Sequence, residues 1–502
     1  MLNLLMLKFL EKIKLELIVF LCGAIVMILE LVGSRVVAPY FGNSLFVWTS
    51  LIGVILGSLS LGYYLGGKLS DRQPQFSLLI LIIILSAIFI AGTAFVKEPL
   101  LSSFQKTISD TRLAVLIATI FLFAPASILL GVVSPFAAKL RLLNVKKSGQ
   151  TIGNLYAIST LGSIIGTFLA GFYLIPAFGN TSLLYFLSFT LIIISLFSNR
   201  KTFEFSVIIL LFVGVLYFLT VNTGLFKLKS IADIDSMYSR IIVDSTFDKK
   251  GQNELIFLRT DNIGGQSGVY AKFSEELAFT YTKYYRLYKN YNPEAKTALM
   301  LGGAGYTYPR DYLRNNPEGK IDVVEIDPEM TRLAKQYFFL KDDPRMNIIH
   351  QDARIYVEDN HTKYDVIFVD VFNGITPPYY LTTTEFFDNL KNRLNKNGVV
   401  MINLLAATDG EKSDFFKSEA NTIKSVFSRL DLYYTETGDR DVAQNLMLVA
   451  SLDSSKEISF SEQDKENYLT DFAQLKNNFS GFALLTDDHA PVEFLTKNYS
   501  LK

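Results

Sequence analysis

A glycine turn and the acids downstream of it are the residues whose types and spacing could do chemistry. The apolar run Ala298–Leu301 meets Gly302, Gly303 and Gly305, and a second apolar run ends in Glu325 and Asp327. The order reads as strand, glycine turn, helix, strand. Glycines let a turn reach positive φ and let a ligand approach the backbone closely. An acid about 20 residues on, at the end of the next strand, can accept from the two hydroxyls of a ribose. Two more acids follow the same rule. Asp352 closes the run N-I-I-H-Q, and Asp370 closes the apolar run V-I-F-V.

These acids need a scaffold, and the pattern around them supplies one. After Asp370 a predicted helix (Thr384–Leu394) leads through an Asn-Lys-Asn-Gly turn to V-V-M-I-N-L. Strands alternating with helices imply a doubly wound parallel sheet. Ligands in such sheets bind beyond the carboxyl ends of the strands, which is where Gly305, Glu325, Asp352 and Asp370 fall. Residues 298–502 are therefore expected to form a Rossmann-like α/β catalytic domain. Residues 223–297 read as a small β-rich cap, with strands at Arg240–Asp244 and Asn253–Arg259. The segment from Ser274 to Tyr288 reads as a helix with Leu277, Tyr281, Tyr284 and Tyr285 on or near one face.

The rest of the chain is different in kind. Half of all residues are hydrophobic, and those of 16–222 are gathered in long runs. A membrane span needs about 20 apolar residues. Candidates lie near 16–36, 47–66, 76–96, 113–135, 152–176, 181–198 and 205–222, so residues 1–222 are expected to form a multi-span helical membrane domain of about seven or eight spans. The charged N-terminus reads as a short amphipathic helix on the membrane surface. Gly57, Gly62, Gly66 and Gly67, and then Gly162, Gly166 and Gly171, suit close helix packing in lipid. Glu30 and Arg35 flank the end of the first span. Lys and Arg cluster on alternate loops, which puts the N-terminus in the cytoplasm. Seven spans would leave residues 223–502 outside, away from a nucleotide cofactor. An eighth span or a re-entrant segment is expected instead, with the catalytic domain at the cytoplasmic face of the inner (plasma) membrane.

Composition excludes other classes. The formal net charge is zero, so nothing points to nucleic acid. Cys22 is the one cysteine, and His350, His361 and His489 lie far apart, so neither a disulfide framework nor a metal site is expected.

The motifs resemble those of spermidine synthases, the aminopropyltransferases that share the class I methyltransferase sheet. Met237-Tyr238-Ser239-Arg240-Ile241 resembles the family's E-Y-Q-R-I. Residues 302–311 align without a gap to G-G-G-D-G-G-x-x-R-E, and Glu325-Ile326-Asp327 to E-I-D. Asp352-Ala353 stands where the family has G-D-A, and Asp370 to Asn373 where it has D-x-x-D. Thr486-Asp487-Asp488-His489-Ala490-Pro491-Val492-Glu493 is similar to the T-D-D-x-A-P-V-E ending of membrane-fused relatives. The resemblance implies that Glu325 holds the ribose, Asp352 the adenine amine, and the glycines the sulfonium tail. Ala353, Gln266 and Asn373 join Gly302, Gly303 and Gly305 as candidate binding residues. Asp370, Tyr281 and Lys283 are the candidate catalytic residues.

The departures from the family shape the chemistry expected. Gly305 replaces the aspartate that meets the donor amine, Asn373 replaces an acceptor acid, and Lys283 stands where the family has its acceptor glutamate. A polyamine needs acidic partners in a partly dry pocket. Lys283 suits a carboxylate, which intact S-adenosylmethionine carries. The expected reaction is cleavage of S-adenosylmethionine at Cγ–S, releasing 5'-methylthioadenosine with homoserine lactone. The alternatives are aminopropyl transfer from decarboxylated S-adenosylmethionine, and a transporter or sensor that binds the nucleoside without turnover. S-adenosylmethionine is expected as substrate, with no further cofactor. A lipid bilayer and a second copy of the chain are the expected partners.

Overall fold

The computed structural model describes residues 2–496 except 43, 109, 143–147, 197–199, 224–229, 249–250, 261–263, 273–274, 372–375, 437, 456, 463, 465–467, 469–471 and 476–478, and it does not describe the side chains of 2–12, 200, 201 and 472–474. The chain divides into two compact units, Met1–Lys229 and Ser230–Lys502.

The first unit is helical: α1 (Leu2–Phe41), α2 (Leu45–Arg72), α3 (Phe76–Thr107), α4 (Thr111–Arg141), α5 (Ser148–Leu169), α6 (Asn180–Ser195) and α7 (Arg200–Tyr217). A π-helical turn, Ala170–Leu174, extends α5, and another, Phe218–Asn222, extends α7. Among the described residues six helices are long and apolar enough to cross a membrane: Ile13–Phe41, Leu45–Arg72, Phe76–Thr107, Thr111–Arg141, Ser148–Ala177 and Thr202–Asn222. The expected span near 181–198 corresponds to α6, which has 16 residues and falls short of that length. No separate surface helix precedes the first span. Nothing before Pro39 interrupts the helical pattern, so the charged N-terminus continues straight into α1.

Small residues set the helix contacts. α1 packs on α5, and α2 packs on α4. A Cβ on Gly162 would lie 2.0 Å from the Phe20 carbonyl oxygen, and one on Gly166 would lie 2.6 Å from that of Ala24. Gly62 and Gly66 face Ile128 and Val132 at 2.2 and 2.7 Å in the same way. Gly57, Gly67 and Gly171 have nothing within 4 Å, so their place in the spacing does not put them at a contact. Lys97 pairs with Glu98 at 2.7 Å, and the Tyr40 hydroxyl donates to Glu98, tying α1 to α3. Glu30 is half-buried on α1.

The second unit holds two sheets. Strands β1 (Ala232–Asp235), β2 (Arg240–Phe247), β3 (Glu254–Arg259) and β4 (Ser267–Tyr270) form an antiparallel cap in sequence order. The main sheet uses β5 (Thr297–Leu301), β6 (Lys320–Val324), β7 (Met346–Ile349), β8 (Tyr364–Val369), β9 (Leu394–Ala406), β10 (Arg429–Tyr434), β11 (Gln444–Ser451) and β12 (Phe472–Gln474). Its order is β12-β10-β11-β9-β8-β5-β6-β7. Strands β7 to β9 across β5 are parallel, and the β9-β11-β10-β12 side is antiparallel. The short strand β12 closes the antiparallel edge of the sheet. The order reverses between β5 and β8, a switch point of the kind where α/β sheets bind ligands.

Alternating residues send each strand's side chains to two cores. Leu299, Leu301, Ile367 and Val369 face one core, and Ala298, Met300, Val366 and Phe368 face the other. The second core includes cap residues and a ring of tyrosines. Tyr285, Tyr288, Tyr308 and Tyr312 all pack on Phe368, with centroid distances of 4.8–6.0 Å. The helix expected from Ser274 starts only at Thr280. It runs as α8 (Thr280–Tyr284) and continues in turns to Tyr291. Leu277 instead forms a β-bridge with Val269, because the edge strand β4 offers unpaired backbone groups there.

Candidate functional site

The glycine turn leaves β5 at the switch point. Gly302 has φ +93°, and a Cβ there would lie 2.1 Å from the Asp370 carbonyl oxygen, so only glycine fits. The next positive φ values belong to Ala304 (42°) and Tyr306 (54°), the positions that align with family glycines. Side chains seldom adopt this conformation, and each such residue costs on the order of 1 kcal/mol unless its surroundings hold it. Tyr306 is held. Its ring lies against Gly303, its hydroxyl meets Thr331 Oγ1 at 2.6 Å, and it is fully buried.

Glu325 organises this turn. Its Oε2 accepts from the N–H groups of Gly303 and Ala304, both at 2.9 Å, and its Oε1 from Asp327 N–H at 3.0 Å. Burial pushes its pKa above the usual carboxylate range, against the pull of these three bonds. An ionised carboxylate has about four acceptor sites, so lone pairs remain for a ligand hydroxyl. The α-helix α9 (Thr307–Asn315) follows the turn, and Asp327 caps the next helix, α10 (Pro328–Tyr337), by accepting from Glu329 N–H at 3.0 Å. Ser236 of the cap donates to its other oxygen.

Asp370 follows β8 and lies beside the turn. It is partly open to the surface yet deep among protein groups. Burial pushes its pKa up to about 6, while hydrogen bonds from Asn403, Tyr285 and Tyr281 pull the other way. Asn403 Nδ2 donates to Oδ1 at 3.0 Å. The Tyr281 hydroxyl lies 2.8 Å from the Gln266 carbonyl oxygen and 3.4 Å from Asp370 Oδ2. Gln266 thus reaches the centre through its backbone. Asn403 Oδ1 is buried and meets no hydrogen-bond partner among the described residues. A buried acceptor without a partner is costly, and an incoming N–H would satisfy it. The arrangement can accept a proton at Asp370 and a hydrogen bond at Asn403.

Asp352 follows β7 and caps the helix Ala353–Asp359, accepting from Arg354 N–H at 2.8 Å and Ile355 N–H at 3.3 Å. Its Oδ2 accepts from the Tyr380 hydroxyl at 3.3 Å. A cleft of about 460 Å³ opens here, lined by Asp352, Arg354, Ile355, Glu358, Tyr379, Tyr380 and Asp487. Ala353 is buried under it.

The structure does not bring Lys283 to Asp370. Tyr281 and Tyr285 share the face turned to the carboxylate, and Lys283 stands about 200° round the helix from Tyr281. It is 41% exposed and lies 4.0 Å from Glu276. The family resemblance assigned Lys283 to the site, but Tyr281 and Tyr285 take the helix face that meets Asp370. Asn373 lies outside the described residues. Gly305 has no room for the aspartate of the family motif. A Cβ there would meet Ser267 Oγ at 2.5 Å and the Phe338 ring at 2.9 Å. Sequence reasoning missed Asn403, although a polar residue inside the apolar run V-V-M-I-N-L-L was a signal. Among the described residues no three metal-ligating side chains cluster.

A doubly wound mixed sheet with a glycine turn and a strand-ending acid at its switch point defines a Rossmann-like α/β domain, here behind a helical N-terminal region. Residues 285–461 match the family model of the spermine/spermidine synthase domain. A probable polyamine aminopropyl transferase of Bifidobacterium longum is 31% identical over 222 residues, which cover 40% of this chain and 49% of the relative. The match thus spans about half the length of that relative. Polyamine aminopropyltransferase 1 of Streptomyces coelicolor is 22% identical over 416 residues, 76% of this chain and 74% of its own. That stretch is longer than the second unit and enters the helical half. The crystal structure of a probable spermidine synthase from Corynebacterium glutamicum matches with 23% identity and a TM-score of 0.43, over 51% of this chain and 96% of that one.

Proposed function

We propose that the second unit is an alkyl transferase of the aminopropyltransferase type, acting on an adenosyl sulfonium donor. An amine nitrogen attacks the carbon next to the sulfonium, the C–S bond breaks, and 5'-methylthioadenosine leaves with the bonding pair. Asp370 takes the proton from the attacking nitrogen, and Asn403 Oδ1 accepts its other N–H. The observation that carries this reading is Asp370 paired with the buried Asn403, whose Oδ1 is an open acceptor. A base with a pKa near 6 is ionised at neutral pH and still basic enough to assist. Glu325 and the glycine turn suit the ribose, and the cleft at Asp352 suits the base.

One observation favours a second reading. The space of the missing aspartate at Gly305 is filled by Ser267 and Phe338, which removes the acid that the family uses for the donor amine. With Asn373 also neutral, intact S-adenosylmethionine could serve, its own carboxylate attacking Cγ to give homoserine lactone. The loss of Lys283 from the site weakens this route. Mass spectrometry of products from the purified protein separates the two. Methylthioadenosine formed only with an amine and the decarboxylated donor upholds the transferase. Methylthioadenosine formed from S-adenosylmethionine alone upholds the lyase, and binding without turnover leaves a sensor or transporter.

We further propose that the helical unit crosses the inner membrane with residues 230–502 in the cytoplasm. Six crossing helices, with α6 not crossing, put both ends of that unit on one side. A reporter fused after Lys502 that is active only outside the cell refutes this.

A further inference from the structure

The C-terminal Thr486–Glu493 motif has no part in the chemistry above, yet its first acid lies in the cleft. We propose that Asp487 is a positioning residue for the base of the nucleoside, acting through Arg354 on the wall that faces Asp352. The proposal rests on the nucleoside reading of this cleft.

The contacts form a connected chain. Asp487 takes Arg354 in a two-pronged pair, Nη2 to Oδ2 at 2.6 Å and Nη1 to Oδ1 at 3.1 Å. Arg354 Nη1 also donates to the Tyr380 carbonyl oxygen at 2.9 Å and to Thr383 Oγ1 at 3.0 Å, and its Nε donates to Glu358. Thr383 in turn donates to Asp487 Oδ1 at 2.7 Å. Tyr380 belongs to the short turn Tyr379–Leu381, and its hydroxyl reaches Asp352 Oδ2 at 3.3 Å. The guanidinium is a planar fork, so holding it from one side fixes what it holds on the other. Arg354 is 13% exposed and Asp487 44% exposed, so solvent screens the pair and its role is geometric more than stabilising.

The segment that carries Asp487 is itself anchored. Leu485 N–H donates to Thr422 Oγ1 at 3.0 Å, and Thr384 N–H donates to the Leu485 carbonyl oxygen at 2.8 Å. Thr486 and His489 exchange backbone bonds at 3.1 and 3.0 Å, closing a tight turn. Asp487 N–H donates to Glu385 Oε2 at 3.0 Å. The motif therefore presents one carboxylate, from a fixed backbone, to one guanidinium. The ligand class is a purine with an exocyclic amine. Asp352 Oδ2 accepts from that amine only where the Tyr380 wall holds the base against it.

The test uses the full-length protein in detergent, with 5'-methylthioadenosine and its deaminated analogue methylthioinosine as probes. Asp487→Asn is expected to weaken methylthioadenosine binding about tenfold and methylthioinosine binding less than about threefold, because only the former donates to Asp352. Arg354→Lys, which keeps the charge without the fork, is expected to lower the same preference. Asp488→Asn, one residue away, is the control and leaves both affinities as in the parent. Equal affinities in parent and Asp487→Asn overturn the proposal, as does an equal loss for both probes. If Asp487→Asn does not fold, Arg354→Lys decides by the same ratio. A parent that binds neither probe overturns the nucleoside reading itself, which is a different result.

Discussion

Replacing Asp370 by asparagine should stabilise the second unit at high pH while removing turnover. Burial raises the Asp370 pKa from 3.8 to about 6 in the folded protein. Between those values the folded state keeps a proton that the unfolded state has released. Stability therefore falls as pH rises through that window and stays lower above it. At about 1.36 kcal/mol for each pKa unit, the gross cost of the ionised carboxylate is about 3 kcal/mol. Asparagine does not titrate. It keeps one acceptor for Asn403 but brings an amide that meets other donors, which takes back about 1 kcal/mol. The net gain above pH 7 is about 2 kcal/mol; it crosses zero at about pH 4.5 and becomes a net cost of up to about 1 kcal/mol at lower pH, where the parent carboxyl is also neutral. Hydrogen exchange of peptides from β8 and β9 in the full-length protein, at about pH 4 and about pH 8, reads this difference once intrinsic rates are corrected. Turnover of the parent should rise with pH to a plateau above about 6, and Asp370→Asn should show none. A variant no better protected than the parent at high pH, or one that still turns over, refutes the reasoning.

Glu325→Gln should weaken methylthioadenosine binding by about 1.5–3 kcal/mol, since a charged acceptor is lost beside the ribose, and calorimetry checks it. Gly305→Asp, which restores the family residue, should cost about 1–3 kcal/mol of stability by crowding Ser267 and Phe338; a melting temperature equal to the parent's would show that the space was open. In the helical unit, Gly162→Leu should lower the melting temperature, and Gly171→Leu should not, because only the first faces a neighbouring backbone.

The scaffold of the site was legible because its strands are. The runs A-L-M-L and V-I-F-V are apolar on both faces, as strands covered by two cores must be, and Gly302 and Asp370 end them in register. The roles of the acids were less legible. A helix N-cap and a ligand acceptor ask for the same residue at the same place, just past a strand. Asp327 and Asp352 are caps first, and residue type alone does not reveal it. Lys283 was misplaced for a different reason. Its place came from the family resemblance, while the spacing that puts Tyr281 and Tyr285 on one helix face turns Lys283 away from Asp370. The glycines of α2 and α5 show the same limit. Spacing selected Gly57 and Gly62 alike, but the partner helix decides which one is needed. Asn403, a polar residue in an apolar strand, carried a signal of its own beside Asp370 and was missed.

The pairing of α1 with α5, and of α2 with α4, also sets an order of assembly. Phe20 and Ala24 present their backbone to Gly162 and Gly166, well over a hundred positions later in the chain. During synthesis α2 can close on α4 around α3 before α5 exists. Until then the backbone of Phe20 and Ala24 lacks its glycine partners. The bundle is nested, its inner pair completed first and its outer pair last. A chain halted before Ser148 should therefore hold its α2–α4 pair, with its first helix resting on α2, α3 and α4 alone and its Phe20–Ala24 face unfilled, an intermediate set by the placing of a few hydrogen atoms where side chains would be.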